Sequence, residues 1–217
     1  MKNRYVSKTH ICERKFREIL RYFSLDFDAS QTSLLAHLTR KTINQLYHKF
    51  RKRIFLLEEI DQGKINGEIE VDESYFGARR VRGKRGRGAK GKTPVVGLLK
   101  RNGKVYAQVL KNCQRKQLLP IIKGKILEES TIYTDGWKSY DSLVLNGYQH
   151  HRIYHSENEF ARGKNHVNGI ESFWSYTKRR LLKFNGIRKN QFLLQLKESQ
   201  FRWNNRQNIY RLLLINF

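Results

Sequence analysis

Residues 68–77 read EIEVDESYFG, and their polar and apolar positions alternate. Side chains of an extended chain point to opposite faces with period two, so Ile69, Val71 and Glu73 fall on one side and Glu70, Asp72 and Ser74 on the other. The stretch predicts a strand, and the segments downstream supply partners for it. TPVVGLLKRNGKVYAQVL (93–110) is a hairpin, two apolar runs joined at Asn102-Gly103. QRKQLLPIIKGKIL (114–127) is helical, with Pro120 expected to kink or shorten it. STIYTDGWKSYDSL (130–143) gives a short buried strand ending at Asp135 and then a turn into a helix, and HHRIYH (150–155) is one more strand. Residues 165–183 and 189–206 form two final helices. Three antiparallel strands and then alternating helix and strand predict an α/β fold, a mixed sheet covered by helices.

Upstream the pattern changes from period two to helical spacing. ICERKFREILRYF (11–23) sets Ile11, Phe16, Ile19, Leu20 and Phe23 on one face, and SQTSLLAHL (30–38) fits a second helix. RKTINQLYHKFRKRIFLLEEI (40–60) is a third, with Thr39 as its N-cap and Ile43, Leu46, Tyr47 and Phe50 on its inner face. A short helix, a tight turn and a longer basic helix make a helix-turn-helix pattern, in which Arg40, Lys41, Asn44, Gln45 and His48 face outward toward a major groove. A plain three-helix bundle with a solvated basic face is the alternative. The expected organisation is a small all-α DNA-binding domain (1–60), a hinge DQGKING (61–67), and an α/β domain (68–217).

The 217 residues carry 44 Lys and Arg against 19 Asp and Glu, a formal net charge of +25. Self-repulsion on that scale is relieved by a polyanion, and nucleic acid is the expected partner. No apolar span of membrane length and no secretory leader stands in the sequence, so no membrane association is expected and the chain reads as cytoplasmic. Cys12 and Cys113 lack metal-site spacing and are read as structural thiols.

The order of elements is that of the ribonuclease-H-like fold. There the first strand lies in the middle of the sheet and the fourth runs parallel beside it, which brings Asp72 and Asp135 to one edge. Glu171, near the start of the penultimate helix, can cross that edge. Three gathered carboxylates repel one another unless metal ions hold them, and a pair of divalent ions about 3.5–4 Å apart is the arrangement that catalyses in-line phosphoryl transfer. An all-oxygen donor set favours Mg²⁺ or Mn²⁺ over zinc. Glu73 points away from Asp72 and is left out of the set.

DESYFG from Asp72, TDGW around Asp135 and HVNGIESFWSYTK from His166 to Lys178 stand in that order over about residues 66 to 206. These motifs resemble those of the DDE transposases of short prokaryotic insertion sequences. The resemblance implies a ribonuclease-H-like catalytic domain, a metal-binding triad of Asp72, Asp135 and Glu171, and two Mg²⁺ or Mn²⁺ ions. It also implies binding of terminal inverted repeats, joining to target DNA, and a homodimer or larger synaptic complex, nucleoid-associated when on DNA. Some relatives carry Asn in place of the Glu, which raises Asn168 as an alternative. Glu171 is preferred because Lys178, seven residues on, shares its helix face and can grip the phosphate beside the scissile bond.

The remaining DNA contacts are assigned to a basic segment, ARRVRGKRGRGAKGK (78–92), whose Arg79, Arg80, Arg82, Lys84, Arg85, Arg87, Lys90 and Lys92 lack any acid among them. Such a segment clamps backbone phosphates with steep salt dependence and little sequence choice. His166 is assigned to DNA as well, with helix capping as the alternative. Trp137 either stacks on a base or packs beneath the site, while Trp174 and Trp203 are read as core. A transposase-derived repressor without catalysis, and a structure-selective nuclease of the same fold, remain as alternative functions.

Overall fold

A computed structural model describes residues 3–7, 10–60, 63–77, 91–135, 144–153 and 167–217. The chain divides into two compact units, residues 62–188 and the pair of segments 1–61 with 189–217.

The first unit is built on five strands: β1 (Glu68–Phe76), β2 (Thr93–Lys100), β3 (Val105–Val109), β4 (Thr131–Asp135) and β5 (Gln149–Ile153). Their order across the sheet is β3-β2-β1-β4-β5, so the first strand is central, as expected. β1 runs antiparallel to β2 and parallel to β4, and β4 runs parallel to β5. The hairpin turns over Arg101–Lys104, with Asn102 in the left-handed region at φ 55°. That conformation is tolerated by Asn better than by most residues with a Cβ.

Alternation along β1 sends its two faces to different helices. Ile69 and Val71 pack with Val96, Leu98 and Ile132 against Leu118 and Ile122 of α4 (Arg115–Lys125). The helix is not shortened by Pro120: the residue is exposed, as is Lys116 one turn earlier. The carbonyl that loses its donor therefore faces water rather than the core. On the opposite face α5 (Asn168–Leu182) packs on β1 and β2.

The second unit contains α1 (Glu13–Ser24), α2 (Ala29–Leu35), α3 (Arg40–Ile60), α6 (Lys189–Asn204) and α7 (Ile209–Ile215). α3 has the bounds expected from its sequence, and Thr39 caps it, its hydroxyl accepting from Thr42 N–H at 3.2 Å. Asp28 caps α2 through a reciprocal box with Gln31. Phe16, Phe23, Tyr47, Phe50 and Phe217 meet mostly edge to face in the core. The Tyr47 hydroxyl is satisfied by Thr32 at 2.6 Å and Phe27 O at 3.1 Å, and burial pushes its pKa up to about 12.

Here the observed organisation departs from the expected one, in which residues 189–217 close the α/β domain. α6 and α7 instead pack with the N-terminal helices. Phe201 and Leu213 are buried in the same apolar core as Phe16, Phe23 and Phe50, and a buried ion pair adds to it: Glu198, 0% exposed, accepts from Arg51 of α3 at 2.7 Å and from Arg202 at 2.9 Å. Arg202 in turn donates to the backbone carbonyls of Phe23 and Ser24 at the end of α1, where cations complement the helix dipole. α7 has no counterpart among the elements expected from the sequence.

Candidate active site

β1 and β4 lie side by side in parallel, with Glu70 opposite Tyr133 and Val71 opposite Thr134. One residue further on each strand come Asp72 and Asp135, on neighbouring strands about 4.8 Å apart. Both point to the face that α5 covers, and Glu171 stands in the first turn of that helix. The two acids thus stand on adjacent parallel strands, each one residue beyond the last paired position.

The carboxyl group of Asp72 is pushed up to about 6. Burial is the largest cause; the negative charges of Asp135 and Glu171 push it the same way, while the Glu73 backbone N–H and the Trp174 indole oppose it. Both other acids of the expected triad are thus within electrostatic reach of Asp72. Asp135 Oδ1 is buried and has no hydrogen-bond partner among the described residues. A buried carboxylate oxygen without a donor is costly, and a cation is the natural remedy. Glu171 itself is exposed on α5. Among the described residues no group of three or more His, Cys, Asp and Glu side chains is drawn close enough to hold an ion as the chain stands.

Trp174 has a larger part than the core role expected of it. It is 4% exposed, and its Nε1–H donates to Asp72 Oδ2 at 3.1 Å. The ring reaches that position because the residue opposite Asp72 on β2 is Gly97. A Cβ at Gly97 would lie 2.6 Å from Trp174 Cζ2 and 2.7 Å from Ile170 Cδ1, both in a packed interior. Sequence reasoning missed both Gly97 and the indole bond. The trace they leave in the sequence is the glycine interrupting an apolar strand, VVGLL, a mark of close approach by another element.

Lys178 is exposed two turns after Glu171, with its Nζ 5.9 Å from the centre of the Phe76 ring, beyond Asp72 on β1. Phe76 also meets Trp174 edge to face. Glu73 falls on the other face of β1 by the alternation of the strand. Asn168, the alternative to Glu171, is the exposed first residue of α5.

In the helical unit Arg40, Lys41, Asn44 and Gln45 are all exposed at the start of α3, and His48 is half-buried. Lys92 is half-buried just before β2. Arg79, Arg80, Arg82, Lys84, Arg85, Arg87, Lys90, Trp137 and His166 lie outside the described residues.

Residues 64–204 match the profile of the ISXO2-like transposase domain, a span that includes all four candidate residues from Asp72 to Lys178. The chain belongs to this transposase family. An uncharacterised transposase-like protein of Haemophilus influenzae is 49% identical over 102 residues, 47% of this chain and 82% of that protein. A protein of the transposable element ISH50 from Halobacterium salinarum is 26% identical over 203 residues, covering 86% of this chain and 68% of the other. Among solved structures, an intasome of simian T-cell lymphotropic virus aligns with a TM-score of 0.41 at 10% identity, over 85% of this chain and 67% of that one. At that level the two folds are not equated. The ISXO2-like match runs through α6 to residue 204, so the family segment crosses the boundary between the two compact units. No helix among the described residues is long and apolar enough to cross a membrane.

Proposed function

We propose that this chain is a DDE-type transposase with a ribonuclease-H-like catalytic domain, which binds the terminal inverted repeats of its own insertion sequence, cleaves the 3′ ends and joins them to target DNA. The carrying observation is the placement of Asp72 and Asp135 on adjacent parallel strands, with the charge of Glu171 felt at Asp72, in a chain of the ISXO2-like transposase family.

Asp72, Asp135 and Glu171 would hold two Mg²⁺ or Mn²⁺ ions; the partnerless oxygen of Asp135 and the all-oxygen donor set fit such cations. Bound there, divalent ions supply an activated attacking oxygen and neutralise the charge on the leaving one. The protein's own groups do the rest. Trp174 fixes one oxygen of Asp72 so that the other is presented outward. Lys178 holds the phosphate next to the scissile bond. Arg40, Lys41, Asn44 and Gln45 read the inverted repeat from a helix-turn-helix. Lys92 joins Arg79, Arg80, Arg82, Lys84, Arg85, Arg87 and Lys90 in clamping backbone phosphates, and His166 contacts DNA beside Glu171. Two ends must be held together, so a dimer or larger synaptic complex is the working form, in the cytoplasm on nucleoid DNA.

The test is product analysis with wild-type protein, Mg²⁺ or Mn²⁺, and duplexes carrying the repeats that flank the gene. A nick leaving a 3′-hydroxyl, and then joining to a second duplex, is the expected result. Binding without cutting would make the chain a repressor, and cutting of branched DNA without joining would make it a junction nuclease; either outcome overturns the proposal.

A further inference from the structure

Glu70 sits two residues before Asp72 on the same face of β1 and is 1% exposed. A carboxylate so deeply buried needs partners, and its partners are of an unusual kind. Its Oε1 accepts from Arg101 Nε at 3.1 Å, and its Oε2 accepts from the backbone N–H of Ile170 at 2.8 Å. Ile170 is the third residue of α5, whose N-cap, Val167, offers no capping side chain. The third amide of a helix is one that a Ser, Thr, Asp or Asn at the N-cap ordinarily satisfies. Here the acceptor comes from a strand a hundred positions away, and its charge also complements the positive end of the helix.

The approach depends on Gly169. A Cβ there would stand 2.5 Å from Leu99 Cδ2 and 2.8 Å from Glu70 Oε2. Arg101 fixes the carboxylate from the far side, its guanidinium 3.7 Å over the ring of Tyr133 on β4. Glu70 is thereby tied to both strands that carry the aspartates.

We infer that Glu70 is a positioning residue that sets Glu171 relative to Asp72. β1 grips α5 at two points, Glu70 on the amide of Ile170 and Asp72 on the indole of Trp174, and Glu171 lies between them. Releasing the first grip leaves the helix start free to lift while Trp174 stays anchored. The proposal rests on the triad reading for its consequence in cleavage, but not for the contact itself.

Hydrogen exchange on the full chain without metal or DNA separates the two. In wild type the Ile170 amide is expected to be protected. In Glu70→Ala its exchange accelerates at least about tenfold, while amides of β1 and of the last turns of α5 are unchanged. Glu70→Gln, which keeps an acceptor, restores most of the protection. Single-turnover cleavage of a bound repeat duplex falls about 10²-fold in Glu70→Ala, the scale of a misplacement near 1 Å. In a Glu171→Asp background, where the carboxylate is already displaced, the same change costs little more. If Glu70→Ala does not fold, Gly169→Ala disturbs the same contact from the helix side and is expected to expose the same amide. Unchanged exchange at Ile170 in these variants overturns the proposal whatever the cleavage assay gives, as does a loss that simply adds to that of Glu171→Asp. A wild type that exchanges as expected yet cuts no DNA overturns the transposase reading and leaves the contact standing.

Discussion

Replacing Asp72 by Asn is expected to abolish DNA cleavage and, in the same protein, to raise the stability of the metal-free state above pH 6. Asn keeps an oxygen to accept from Trp174 but carries no charge, so it mimics the protonated carboxyl group. The folded state holds Asp72 at a pKa of about 6 against an ordinary 3.8, a difference of about 3 kcal/mol between its two protonation states. A raised carboxyl pKa means that the folded chain binds a proton more tightly than the unfolded one. Stability therefore falls as pH rises from about 4 through 6, and the whole cost is present at neutral pH. Below about pH 4 both states are protonated and wild type and variant should melt alike. Thermal or denaturant unfolding from pH 4 to 8 checks the stability half: the gap should open across that window and approach about 3 kcal/mol. Cleavage should drop by about 10³-fold or more, the cost of losing a group that acts on the reacting atoms. Added Mn²⁺ should stabilise wild type and leave Asp72→Asn unmoved. An Asn variant that is less stable at pH 7 would show that Asp72 is not strained by its neighbours.

The largest loss of stability should come from a residue far from these acids in sequence, Glu198. Its carboxylate is 0% exposed and bridges Arg51 at 2.7 Å and Arg202 at 2.9 Å. Removing it leaves two guanidinium groups facing each other in a dry interior, with Asp26 still 3.4 Å from Arg202. Breaking such a buried network from one side costs about 3–5 kcal/mol. Glu198→Ala should therefore unfold at clearly lower urea than wild type, and Glu198→Gln, which keeps acceptors for both arginines, should lose less. Because α6 holds α1 and α3 through this group, the loss belongs to the helical unit. A cost below about 1 kcal/mol would mean that the arginines find water instead.

Glu198 also marks where the sequence ceases to be informative. The sequence over 189–206 shows a final helix but not which of its charged residues are buried, since Lys, Glu and Arg are almost never buried without partners. The partners are Arg51 and Glu59 on α3, far away in the sequence, and no local pattern reveals them. For that reason the sequence alone assigns the helix to the sheet, whereas the structure groups it with the N-terminal helices. Glu70 is a parallel case: period two places it on the right face of β1, but does not tell that the face is covered, because Arg101 and Ile170 N–H are remote. By contrast, the strands are legible, since alternation and the Asn102-Gly103 turn are local signals, while the central place of β1 follows only from the order of elements that the ribonuclease-H-like fold implies. Also legible is the placement of Asp72 and Asp135 on adjacent strands, once β4 is expected parallel to β1. Glu171 is legible only through its motif.

Single-turnover cleavage of an end-labelled repeat duplex in Mn²⁺, with wild type and Glu171→Ala compared at saturating protein, bears most directly on the assignment of the three acids to one site. Both proteins should retain the duplex equally, and only wild type should yield the 3′-hydroxyl nick and its joined product, with Glu171→Ala slower by about 10³-fold or more. Equal cleavage by the two would remove Glu171 from the site and break the triad.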